Sequence, residues 1–182
     1  KFILACYVEF FRGTPMIVQS MVIFYGSAQA FNISLDRTWA AIFIVSINTG
    51  AYMSEIVRGG ILAVDPGQFE AATALGMTHG QTMRKVVLPQ VVRNILPATG
   101  NEFVINIKDT SVLNVISVVE LYFTGNTVAT QNYQYFPTFT IIAVIYFVLA
   151  FTITLILRYI ERRLDSDTYT TGANQMQVNE VK

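Results

Sequence analysis

The stretch Asp65–Pro89, DPGQFEAATALGMTHGQTMRKVVLP, decides how the rest of this chain is read. It is a polar segment set between apolar runs, and its local signals describe two short helices joined by a tight turn. Asp65 can accept hydrogen bonds from the free N–H groups of a first turn. Pro66 sits where a fixed φ and a missing N–H are harmless, and Gln68 stands at capping-box spacing. Gly76 falls where a helix end favours the left-handed conformation. Thr78 and Gln81 repeat the start signal, and Pro89 is expected to stop the second helix. Phe69, Ala72 and Leu75 share one face of the first helix, and Met83, Val86 and Val87 share one face of the second. A capped helix pair with an apolar face, held outside a bilayer, needs a partner to cover it.

Composition sets the class. The 182 residues are 53% hydrophobic, with a mean hydropathy of +0.47, too apolar for an ordinary soluble domain. Twelve basic and 12 acidic residues cancel, so no global field points to nucleic acid as a partner. A single cysteine, Cys6, excludes an intramolecular disulfide and a cysteine-rich metal site. His79 is the only histidine, so no histidine-based metal cluster can be built. The chain opens on Lys1 with no recognisable leader, and we read it as a fragment lacking its true start.

Around the polar segment the chain reads as about four membrane spans, an all-α polytopic membrane protein. Lys1–Pro15 mixes aromatics with Glu9 and Arg12 and ends in Gly13-Thr14-Pro15, which breaks a helix. Met16–Phe31 is uncharged but short for a span of about 20 residues. Thr38–Ser54 follows the aqueous turn at Asp36-Arg37 and continues to Val57 if Glu55 is tolerated near the boundary. Its patch Ser46, Asn48, Thr49, Gly50 and Ala51 suits close helix packing or a polar route. Val91–Val119 is an interrupted span carrying Arg93, Glu102, Lys108 and Asp109. Glu120–Gln134 reads as an aqueous connection, Pro137–Leu157 as the cleanest span, and 165–182 as a flexible tail.

Basic residues fix the orientation. With four spans, Lys1, Arg12, Arg58, Arg84, Lys85, Arg93, Arg158, Arg162, Arg163 and Lys182 fall on one side, and only Arg37 on the other. By the positive-inside rule the 65–89 loop and the C-terminus are cytoplasmic. Charges within a span are costly and usually pair or border a protein-lined aqueous path. Asn48, Glu55, Lys108, Asp109, Thr110 and Ser111 are therefore the candidate pathway residues; the alternative is that Lys108 and Asp109 only hold the fold. No Ser-His-Asp or Cys-His grouping and no phosphate-binding loop of the form G-x-x-x-x-G-K-[ST] occurs. No catalytic residue, metal ligand or cofactor is expected.

The combination Glu70-Ala71-Ala72, Gly76 and Leu88-Pro89 between spans resembles the coupling loop of ATP-binding cassette (ABC) importer permeases. YVEFFRGTPMIVQ (Tyr7–Gln19) and IKDTSVL (Ile107–Leu113) narrow the resemblance to the polar amino-acid uptake branch, and the likeness extends to about Leu164. The resemblance implies a type I importer transmembrane domain over 1–164, lacking its first span, in a bacterial cell membrane. It further implies ATPase subunits in the cytoplasm that grip the loop through Asp65, Glu70, Ala71, Ala72, Gly76, Leu88 and Pro89. A second permease chain and an extracellular or periplasmic amino-acid-binding protein complete the assembly, which sits in the lipid bilayer and engages no nucleic acid. A permease for another solute class, an ATP-independent transporter or channel, an intramembrane enzyme and a structural subunit are the alternatives.

Overall fold

The computed structural model describes residues 2–180, with side chains described through Arg163. The elements in chain order are helices α1 (Phe2–Gly13), α2 (Met16–Phe31), α3 (Arg37–Leu62), α4 (Pro66–Ala74) and α5 (His79–Thr82). A π-turn (Met83–Val87) leads into α6 (Leu88–Asp109), a 3₁₀ segment (Thr110–Ile116), α7 (Leu121–Asn132) and α8 (Tyr135–Glu180). By contact the chain divides into two compact units, 1–55 with 102–152 and 56–101 with 153–182.

In the first unit α1 ends at Gly13 and α2 begins at Met16, the break expected from Gly13-Thr14-Pro15. The core joins Ala40, Ala41 and Ile44 of α3 to Leu113 and Ile116 of the 3₁₀ segment, with Ile23 and Phe24 of α2 against them. The small Ala40 and Ala41 let neighbouring backbone approach closely, which is how helices associate where burial from water is not the driving force.

The span expected over Val91–Val119 is not one continuous α-helix. It narrows to 3₁₀ at Thr110 and ends at Ser117, whose φ is +60°. Side chains cause the change: Thr110 Oγ1 donates to the Ile107 carbonyl at 2.9 Å and Asn114 Nδ2 to the Ser111 carbonyl at 2.7 Å. Such local bonds compete with the α-helical ladder and favour tighter turns.

The expected aqueous connection over 120–134 is helical instead. Glu120 caps α7, its two carboxylate oxygens accepting from the Tyr122 and Phe123 amides at 2.8 and 2.6 Å, and Tyr146 Oη donates to the same carboxylate at 2.9 Å. Gly125 and Ala129 are buried, and a Cβ at Gly125 would fall 1.9 Å from Ile142 Cδ1. Polar residues over this stretch therefore mark the outer face of a packed helix rather than a loop.

Two helical stretches, α3 and Tyr135–Arg163 of α8, are long and apolar enough to cross a membrane. The helical run from His79 to Asn132 adds a third if its bend is counted as a break within one span, and Met16–Phe31 is a shorter apolar helix. The apolar stretch of α8 is almost entirely uncovered within the chain; an all-round apolar helix of this kind is covered by lipid or other helices. The flexible tail expected over 165–182 falls largely outside the described residues: the backbone is helical to Glu180, while side chains from Leu164 on and residues 181–182 are not described.

The second unit is built around Val64, Val87 and Val91, with Ile61, Phe69, Met83 and Ile95 packed on them. Gly60, buried, sits against α6: a Cβ there would lie 2.2 Å from Ile95 Cγ2 and 3.3 Å from Val91 Cγ1. Ile95 is β-branched and cannot swing its Cγ2 away at low cost. Gly60→Val is expected to destabilise the folded protein by about 1–3 kcal/mol through overpacking; thermal unfolding in detergent checks this, and an unchanged midpoint would show that α3 and α6 do not meet there.

Candidate functional site

Two places combine local construction with unusual chemistry: the 65–89 segment and a cleft bounded by the α1–α2 break, α3 and α6.

In the 65–89 segment most of the expected caps are present. Asp65 accepts from the Gly67 amide at 2.6 Å, with Pro66 at the first helical position. The partner expected of Gln68 differs, since its Oε1 accepts from Gln90 Nε2 at 3.4 Å instead. Gly76 has φ +74°, and the Gly76 and Met77 amides return to the Thr73 and Ala72 carbonyls. A full capping box joins Thr78 and Gln81.

Pro89 does not stop the second helix. The chain continues through the π-turn Met83–Val87, where the Leu88 amide reaches back to the Met83 carbonyl, and into α6 with Pro89 at its second residue. A proline lacks its own N–H and crowds the carbonyl four residues earlier. A wider turn just before it relieves that crowding and keeps the path helical. Leu88-Pro89 is thus a helical joint.

Ala72 is buried, and Phe69 and Met83 pack on the Val64–Val87–Val91 cluster, so the expected apolar faces turn inward. Leu75 does not follow its face: it is 82% exposed. Glu70 and Ala71 are exposed as well, and Phe69, Glu70, Thr73 and Ala74 line a shallow pocket. The segment therefore offers an apolar residue, a carboxylate and small side chains on its outer surface.

The cleft has a volume of about 430 Å³ and is lined by residues 12–16, Asn48, Tyr52, Glu102, Ile105 and Asp109. Glu102 and Asp109 lie two helical turns apart on α6, so they share a face. Glu102 is 8% exposed. Arg12 stands opposite in sign: its guanidinium lies 3.6 Å from Glu55 and 5.7 Å from the centre of the Tyr52 ring. Asn48 belongs to a network of amides. Gln19 Nε2 donates to the Phe11 and Thr14 carbonyls and to Thr14 Oγ1, each at 2.9 Å, and Asn48 Nδ2 donates to Gln19 Oε1 at 2.9 Å. These bonds satisfy carbonyls that the break at Gly13–Pro15 leaves without helical donors.

The structure thus brings Asn48 and Asp109 together and reaches Glu55 through Arg12. It separates the others. Thr110 lines a neighbouring, mostly apolar hollow with Ser46, Thr49, Phe103 and Asn106, where Thr49 Oγ1 donates to Asn106 Oδ1 at 3.0 Å. Lys108 is exposed and Ser111 lines neither cavity. Sequence reasoning passed over Arg12, Gln19, Tyr52 and Glu102. Two signals pointed to them: the seven-residue spacing of Glu102 and Asp109, and a charged residue placed directly before a helix break.

Comparison with known proteins shows the family of the chain. Residues 1–166 match the family described as binding-protein-dependent transport system inner membrane component. The arginine transport system permease protein ArtQ of Bacillus subtilis is 38% identical over 161 residues, covering 88% of this chain and 74% of that protein. The glutamine transport system permease protein GlnP of Escherichia coli is 40% identical over 159 residues, covering 87% and 73%. A crystal structure of an amino acid ABC transporter with histidines superposes with a TM-score of 0.85 at 43% identity, covering 90% of this chain and 76% of that one. The fold is that of a type I ABC importer permease, and the chain belongs to the family of binding-protein-dependent transport system inner membrane components.

Proposed function

We propose that this chain forms the translocation pathway of an ATP-driven importer of polar amino acids. In this reading the cleft holds the solute's charged groups, and the 65–89 helix pair is driven by a separate ATPase in the cytoplasm. The observation that carries the reading is the charge pattern of the cleft: one guanidinium, Arg12, faces two carboxylates, Glu102 and Asp109, beside an amide and an aromatic ring. A free amino acid carries a carboxylate and an ammonium a few bonds apart, and this pattern is complementary to it. Arg12 can exchange Glu55 for the ligand carboxylate, since their 3.6 Å pair is partly hydrated and weakly held. Asn48, Glu102 and Asp109 then receive the ammonium, or a basic side chain. Relatives named for arginine and glutamine transport support a polar amino-acid solute.

The second half of the reading concerns force. Asp65, Glu70, Ala71, Ala72 and Gly76 would present the helix pair to a groove of the ATPase, and the helical joint at Leu88-Pro89 would carry the motion into α6. The positive-inside distribution supports a cytoplasmic position for this segment, within a multi-pass component of the bacterial inner or plasma membrane. A second permease chain would complete the pore, and a binding protein outside the membrane would deliver solute.

Three measurements test these statements. In nanodiscs holding the permease with its ATPase, Glu102→Gln is expected to weaken binding of a cationic amino acid such as L-arginine by about tenfold or more, the worth of a buried charge-assisted hydrogen bond. Unchanged affinity across a radiolabelled amino-acid panel would remove the cleft as the site. Gly76→Val forces a β-branched residue into the left-handed region at a cost of about 1–2 kcal/mol. Reconstituted with ATPase and binding protein, that variant is expected to hydrolyse ATP while losing most uptake, and normal uptake with normal assembly would count against a coupling role. In a Cys6→Ser background, Thr73→Cys is expected to react with a membrane-impermeant thiol reagent only from the cytoplasmic side; labelling of intact cells from outside would reverse the orientation.

A further inference from the structure

Gln19 is 3% exposed and does not line the cleft, yet its side chain is the most heavily bonded amide among the described residues. Its surroundings dictate which way round it sits. Thr14 Oγ1 spends its proton on the Phe10 carbonyl at 2.8 Å, so towards Gln19 that hydroxyl can only accept. One end of the Gln19 amide therefore faces three acceptors: the Phe11 carbonyl, the Thr14 carbonyl and Thr14 Oγ1. Only an NH₂ group is tolerable there, because a carbonyl oxygen in its place would meet three oxygens and no proton. Gln19 Oε1 must then point the other way, towards Asn48.

The constraint passes on. Asn48 meets Gln19 Oε1 at 2.9 Å and the Phe11 carbonyl at 3.3 Å, again two acceptors. Its NH₂ must take that end, which leaves Oδ1 as the end of the amide available to the cleft that Asn48 lines. An asparagine left to itself could offer either a donor or an acceptor.

We infer that Gln19 is a positioning residue that locks Asn48 in the orientation presenting a hydrogen-bond acceptor to the cleft. The acceptor adds to the Glu102 and Asp109 carboxylates, so this part of the site is complementary to a cationic N–H group of the ligand and hostile to a ligand acceptor. The inference rests on the reading of the cleft as the amino-acid site. Selectivity for the ammonium is thereby set one residue away from contact, by backbone carbonyls that the α1–α2 break leaves free.

The test is equilibrium binding to the permease–ATPase complex in nanodiscs without binding protein, so that the latter's own selectivity does not enter. L-arginine and L-glutamine are each compared with the desamino analogue that lacks only the α-ammonium. The parent complex should prefer the amino acid. Gln19→Met keeps the volume, removes the lock and is expected to shrink that preference about tenfold, the worth of one oriented hydrogen bond, with much less effect on the desamino analogue. In an Asn48→Asp background the lock is not needed, because either oxygen accepts, so Gln19→Met should change the preference little. Gln19→Glu in its protonated form, the form that the three acceptors facing it favour, donates to one of them and still accepts from Asn48, so it should keep the parent preference. A preference unchanged in Gln19→Met, or lost equally in Gln19→Glu and Gln19→Met, overturns the positioning role and leaves Gln19 as a tie between helices. If Gln19→Met does not assemble, Gln19→Glu decides: parent-like preference supports the lock, and loss of it sinks the lock. A parent complex that binds both members of each pair equally removes the cleft reading itself, and this inference with it.

Discussion

A chain that breaks a helix must supply other donors for the backbone carbonyls it frees. The break at Gly13-Thr14-Pro15 is where this protein meets that demand. Thr14 covers the Phe10 carbonyl, and Gln19 covers those of Phe11 and Thr14 from within α2. Asn48 of α3 then bonds both Gln19 and the Phe11 carbonyl. The repair draws three helices together, and a polar hollow remains beside it. A solute site is a natural use of such a place, since polar groups are already present and already held in fixed orientations.

The same economy appears in the 65–89 segment. Its two short helices are too short to persist on their own, so each end is closed chemically: Asp65 and the Thr78–Gln81 box at the starts, Gly76 at the turn. Phe69, Met83 and Val87 anchor the pair to the body of its unit. The π-turn before Pro89 then lets a proline stand in the path without breaking it. Backbone continuity is obtained here by adding width to one turn. The exposed Leu75, Glu70 and Ala71 are left on the outside, where a partner can reach them.

Each departure from the sequence reading has its own physical reason. Glu120–Gln134 is polar along its length, and polarity alone reads as loop; the structure buries Gly125, against Ile142, and Ala129, and leaves Asn126 and Thr130 outside. Thr110 and Asn114 reroute the backbone through bonds to carbonyls three residues earlier, a choice open to these side chains in any helix and taken here. Leu75 lies on the periodic apolar face of α4 but beyond its last helical residue, so periodicity misplaces it.

The sequence by itself determined what depends on neighbours in the chain. The membrane class, the helix break at Gly13–Pro15, the cap at Asp65, the box at Thr78 and the glycine turn at Gly76 were all legible, because capping and turn chemistry act over a few residues. Asn48 and Asp109 were legible as costly polar groups within apolar runs. Only the tertiary structure decided which of the polar groups meet: Arg12 with Glu55, and Gln19 with Asn48. These partners lie 29 or more residues apart within each bonded pair, and no local rule of the chain links them. The physical reason is that hydrogen bonds and ion pairs depend on separations of a few ångströms, which packing sets and chain position does not.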